Sequence, residues 1–197
     1  MSTYNAIKYD FTPPAGTFGA MTLISEQTAS ASSSISFTGI DSTYRTYYFK
    51  FINIHPATDG VNFQFQGSTD GGSNYNTTMT TTYFDSIHRE DDAGGSIQYQ
   101  SANDLAQSTS YQNLARSTDN DNDSNISGEL WLYNPSSTTY VKHFMNRLNH
   151  TFNSTPQHTM DTFVAGYLNT TSAVNAIDFK MSSGNIDDGI IQLYGIA

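Results

Sequence analysis

The clearest alternation of hydrophobic and polar positions lies in two runs separated by a turn. In residues 61–66, Val61, Phe63 and Phe65 alternate strictly with Asn62, Gln64 and Gln66. A period of two with bulky apolar residues on one side predicts a half-buried antiparallel strand. In residues 47–54, strand geometry puts Tyr47, Phe49, Phe51 and Asn53 on one face and Tyr48, Lys50, Ile52 and Ile54 on the other. Lys50 marks the second face as partly wet, so the Phe49 and Phe51 face is predicted to line the core. Between the runs, His55-Pro56-Ala57-Thr58-Asp59-Gly60 reads as a turn in which proline stops one strand and Asp-Gly opens the next. A second turn follows at residues 68–73, Ser-Thr-Asp-Gly-Gly-Ser.

The same pattern recurs along the chain. Short strands are predicted at residues 21–24, at 35–40 through Ile35, Phe37 and Ile40, and in the threonine-rich stretch 75–84. Residues 26–34 read as a small polar loop or the wet start of the next strand. In residues 125–133, Ile126, Gly128, Leu130 and Leu132 alternate with Glu129, Trp131 and Tyr133; Asn134-Pro135 closes the run. In residues 140–148, Val141, His143 and Met145 alternate with Tyr140, Lys142, Phe144 and Asn146, so the two runs predict a hairpin. Further strands are predicted at 163–168, 173–181 and 190–196. Residues 85–124 have no clear period beyond a short strand near 96–100, and residues 102–116 fit either a helical turn or a strand. Eight to ten short strands with turns between them predict an all-β fold, an antiparallel β-sandwich of jelly-roll type.

Composition narrows this further. Charged residues are 13% and aromatic residues 13% of the 197, a mix that suits turn-rich β structure and argues against disorder. The length suits one domain, here residues 21–197, preceded by an extended N-terminal arm at residues 1–20. That arm carries Tyr4, Tyr9, Phe11, Pro13, Pro14 and Phe18 and has no core pattern of its own, so it reads as a frayed end or as an attachment arm laid on another surface. The formal net charge of −10, with eight scattered Lys and Arg, argues against a nucleic-acid partner. No run suits a membrane-spanning helix, so no membrane partner is expected, and no signal peptide is read at the start. The absence of cysteine removes disulfides, thiolate metal sites and a Cys nucleophile.

Candidate chemistry is sparse. Asp119, Asp121 and Asp123 alternate in a loop and offer three oxygen ligands of the kind Ca²⁺ takes; the plainer alternative is a solvated turn, since the Gly and Glu of the helix-loop-helix calcium motif are missing. Residues 88–92, His-Arg-Glu-Asp-Asp, form a second acidic loop. His143 shares a strand side with Val141 and Met145 and is expected to be partly buried, while His55 is expected in a turn. No nucleophile elbow, zinc motif or phosphate loop is present, so no catalytic residue is nominated and no cofactor is expected apart from that possible Ca²⁺. Thirteen tyrosines and Trp131 could stack on sugars, or fill sheet faces and subunit interfaces.

Several stretches taken together carry a resemblance: LIS-x-QTAS (23–30), ISFTGIDSTY (35–44), the core at 47–76 with its STDGG turn, SGELWLYNPSSTTYVKHF (127–144) and the closing run at 165–196. In these the chain resembles virion structural proteins of marine tailed phages. The resemblance covers residues 23–196 and implies a jelly-roll-like sandwich that assembles as an oligomer, expected as a homotrimer, on a virion. The expected role is non-enzymatic: a head decoration (cement) protein whose partners are itself and the major capsid protein or another virion protein. The alternative is a tail-fibre or knob module that binds host glycans.

Overall fold

Threonine, tyrosine and β-branched side chains favour pleated backbone, and among the described residues, 20–196, they build twelve strands and one 3₁₀ turn, Ser101–Asn103, in this computed structural model. In chain order the strands are β1 (Met21–Thr28), β2 (Ile35–Thr38), β3 (Thr46–Pro56), β4 (Val61–Ser68), β5 (Met79–Arg89) and β6 (Gly95–Tyr99). They continue with β7 (Gln112–Thr118), β8 (Ile126–Tyr133), β9 (Lys142–Phe152), β10 (His158–Leu168), β11 (Ala176–Met181) and β12 (Ile186–Ile196). The arm at residues 1–20 lies outside the described residues except for Ala20, and so do Tyr4, Tyr9, Phe11, Pro13, Pro14 and Phe18.

Every pairing is antiparallel. Eight strands form one large sheet in the order β1-β12-β3-β8-β9-β10-β5-β6, and four form a smaller one in the order β7-β4-β11-β2. The sheets face each other, and the small sheet meets the large one at both of its own edges. A single pair, Thr118 with Phe152, joins β7 to β9, and a bridge from Ser32 to Ile186 links the approach to β2 with β12. The result is an all-β, jelly-roll-like sandwich closed almost into a barrel.

The two most patterned runs are not neighbours in a sheet. Strand β3 lies in the large sheet and β4 in the small one, and they meet through their side chains: Phe51 and Phe63 pack edge to face at 5.3 Å. Phe179 of β11 sits at the centre of this core, with Phe37, Phe49, Phe51, Phe63 and Phe65 all within 6.4 Å of its ring. Such aromatic clusters bury large apolar areas and prefer these tilted geometries.

Two predicted faces are corrected by local backbone. Asn53 adopts a left-handed conformation, φ 51°, in a bulge opposite Ser127, so Ile54 turns into the core instead of following Lys50 outward. Gly189, φ 119°, answers it on β12; a Cβ there would lie 2.7 Å from the Asn53 carbonyl oxygen. In β9 the alternation is as predicted but the buried side is the other one. Lys142, Phe144, Asn146, Leu148 and His150 point inward, and His143 is exposed with Met145. Lys142 tolerates this because its Nζ donates to the Tyr140 and Thr170 carbonyls at 2.9 and 3.0 Å. The predicted hairpin of β8 and β9 is present. Residues 26–28, expected in a loop or at the wet start of the next strand, extend β1 along the edge of the large sheet, and His55, expected in a turn, lies within β3.

Candidate interaction surface

An antiparallel sheet with one face on a core usually shows water a polar face. The outer face of the large sheet departs from this. One cross-strand row runs Leu23, Tyr194, Tyr48, Trp131, Met145, Ala165, Thr82. The next runs Glu26, Gln192, Lys50, Glu129, Arg147, Phe163, Phe84, Tyr99, from one edge of the sheet to the other. The second row is charged in its first half and aromatic in its second.

The rings are organised. Tyr48 packs between Trp131 at 4.6 Å and Tyr194 at 5.9 Å, and its hydroxyl donates to Glu129 Oε2 at 3.0 Å. Burial, together with the Glu129 carboxylate, pushes the Tyr48 phenol up to about 12. Phe84 and Phe163 stack in parallel at 4.8 Å; Arg147 lies over Phe163 at 4.9 Å while donating to Asp161 at 2.8 Å. These contacts fix the face without hiding it: Met145 is 55% exposed and Tyr133 37%.

Two depressions are set in this face. The first, about 640 Å³, is bordered by Tyr48, Lys50, Glu129, Arg147, Asn149 and Asp161. It opens where Gly128 brings β8 so close to β9 that a Cβ would sit 2.4 Å from the Arg147 carbonyl oxygen. The second is an apolar trough of about 590 Å³ between Tyr133, His143, Met145, Ala165, Tyr167 and Thr82. Its floor is low because small residues, Ala165 and Gly166, stand between larger neighbours.

At the far edge, β6 exposes all five of its residues, with Ile97 80% and Tyr99 64% exposed. Among the described residues it pairs only with β5, and it carries neither proline nor lysine, the usual guards of a free edge.

The acidic loop separates. Gln157 Nε2 donates to both Asp119 and Asp121, the latter at 3.2 Å. Asp123 instead borders a shallow pocket of about 340 Å³ with His55, Asp187 and Asp188. Among the described residues no three His, Asp or Glu side chains converge in a group that could hold a metal ion. In the other loop Arg89 is tied to Asp91 at 2.6 Å.

A second polar cluster is inside. Asp85, fully buried on β5, accepts from Arg116 Nε of β7 at 2.8 Å, and His150 of β9 hydrogen-bonds the Arg116 carbonyl through Nε2 at 3.0 Å. Around them Tyr83 Oη, Thr162 Oγ1, His150 Nδ1 and the Asn146 amide are buried without a hydrogen-bond partner among the described residues. Desolvation and the Arg116 charge outweigh the bond to the carbonyl and push the His150 imidazole down to about 4. No local pattern marks this cluster, since its members come from four strands between residues 83 and 162.

Compared with known proteins, the chain matches no family model, no curated protein and no solved structure.

Proposed function

We propose that this chain is a non-enzymatic structural protein of a virus particle, a decoration (cement) protein that binds the capsid shell as an oligomer. The observation that carries this reading is the outer face of the large sheet, with its exposed Tyr133 and Met145 and the unguarded edge at Ile97 and Tyr99. Contiguous exposed apolar surface of this kind suits contact with other protein. A homotrimer would match a site of threefold symmetry on a shell. The residue-level resemblance at 23–196 supports the particle context. The acidic balance, −10, is compatible with a surface that does not meet nucleic acid.

The test is the copy number of this protein in purified particles, relative to the major capsid protein, by quantitative mass spectrometry. Near-equal copy numbers are expected; absence from particles overturns the reading. A small fraction would favour the second reading, a fibre-tip module that holds host glycans. That version draws on the depression bordered by Tyr48, Lys50, Glu129 and Arg147, where ring faces stand beside charged groups able to bond sugar hydroxyls. A glycan array reads it directly.

A further inference from the structure

We infer that β6 is a self-pairing edge: two copies of this chain join there, antiparallel about a two-fold axis at Ile97. The inference rests on the reading of this edge as a protein contact and does not depend on the particle context.

The main-chain groups set the register. Gln100 N–H donates to the Tyr83 carbonyl, and the Gly94 carbonyl accepts from Arg89 N–H, each at 3.0 Å. Strand β5 therefore takes the main-chain groups of the even-numbered residues, among them Ser96 and Gln98, in register with Ile87 and Asp85. Gly95, Ile97 and Tyr99 turn their N–H and C=O the other way, where none has a partner among the described residues. A second β6 laid antiparallel with Ile97 opposite Ile97 places Gly95 opposite Tyr99 at both ends. Every outward donor then meets an outward acceptor. A slip of two residues would strand the groups of Gly95 or of Tyr99.

The side chains agree with that register. On the outer face Ile97 meets its own copy, and Tyr99 lies across the partner's Gly95, where no side chain stands in its way. Aromatic rings cover glycine across strands in this manner. The Tyr99 hydroxyl donates to Asp104, which fixes the ring. On the other face Gln98 stands opposite the partner's Ser96. Within one chain the Gln98 amide already donates to Ser96 Oγ at 2.8 Å, and across the axis it finds the same acceptor. Strand β6 carries no charge in a chain of formal net charge −10, so the pairing sets no like charges opposite each other.

An axis at Ile97 stands perpendicular to the sheet, so the two outer faces look the same way and form one continuous surface. Met145 on β9 and Tyr133 on β8 lie three and four strands in from the edge and stay open to a further partner. With five residues from each copy, the pair falls below the standard contact of about 1,600 Å² and should be weak.

Sedimentation velocity of the full chain over a concentration series should show a monomer–dimer equilibrium. Ile97→Pro removes an outward N–H and leaves each β5–β6 hydrogen bond in place, a position where an edge strand accepts proline. Ile97→Lys sets two like charges opposite each other. Each should weaken dimerisation at least about tenfold with the circular dichroism spectrum unchanged. A chain that stays monomeric throughout, or a dimer that both variants leave intact, overturns the proposal. Oxidation reads the register, since the chain has no cysteine. Across the axis the two Ile97 Cα atoms would stand about 5.5 Å apart, within disulfide range. Ile97→Cys should therefore give a covalent dimer, while Thr69→Cys, exposed on the turn after β4, should not. Equal cross-linking at both positions overturns the pairing as well. None of these results bears on copy number in particles, so this contact and the particle role fail separately.

Discussion

The molecule has two interiors built on different terms. Between β3 and the small sheet the contacts are rings on rings, with Phe179 touching five others and no polar atom to satisfy. Beneath β5, β9 and β10 the interior holds Asp85, Arg116, His150, Tyr83, Thr162 and Asn146, and its cohesion rests on charge and hydrogen bonds. The first tolerates any pH and answers only to volume. The second answers to protonation and to the loss of single partners. Nonpolar packing supplies stability; the polar cluster makes one wing of the sheet sensitive to its surroundings.

Phe179→Ala should cost about 4 kcal/mol, because a cavity opens among five rings that cannot all relax into it; urea unfolding measures it. A loss below 1 kcal/mol would mean that the aromatic core is looser than its geometry implies. On the polar side, Asp85→Ala should cost about 3 kcal/mol by leaving Arg116 without its carboxylate in a largely buried place. The double variant with Arg116→Met should recover part of that loss, which a purely steric defect would not.

Of the two interiors, acid should act on the second. His150 titrates near 6.5 in an unfolded chain and is pushed down to about 4 in the fold. Between those values the unfolded chain binds the extra proton, so stability is complete above pH 6.5 and falls as pH drops through 4, by up to about 3 kcal/mol. Comparing the pH dependence of unfolding with that of His150→Gln isolates this contribution, and identical slopes would remove His150 from the account. The smallest effect belongs to the exterior: Met145→Glu should change stability by no more than about 0.5 kcal/mol, yet weaken any association measured by sedimentation velocity.

How much of this could be read from the chain follows from where each signal resides. The Val61, Phe63, Phe65 run and the β8–β9 hairpin were legible because a strand's faces follow from its own alternation. The same alternation does not say which side is wet when both sides carry polar groups. His143 is therefore expected to be partly buried yet is exposed, and the buried imidazole of β9 is His150. The bulge at Asn53 inserts one residue and reverses every face after it, which no count of apolar positions reveals. Residues 104–111 lack a period because they are held from outside: buried Gln66 donates to the Thr109 and Ser110 carbonyls at 3.0 Å each. The aromatic wealth was plain in the composition. That part of it faces outward across eight strands depends on strand order, which local sequence does not encode.

Met21 pairs with Ile196 at the outer border of the large sheet. Whatever is joined before the first strand and whatever is joined after the last therefore leave the molecule side by side. A short linker between them should permit circular permutation, with new ends opened at an exposed turn such as the one around Gly71. Passengers joined directly at Met21 and at Ile196 would be held together at one border of the large sheet, seven strand positions from β6, so the scaffold could carry cargo at one side while the other remains open.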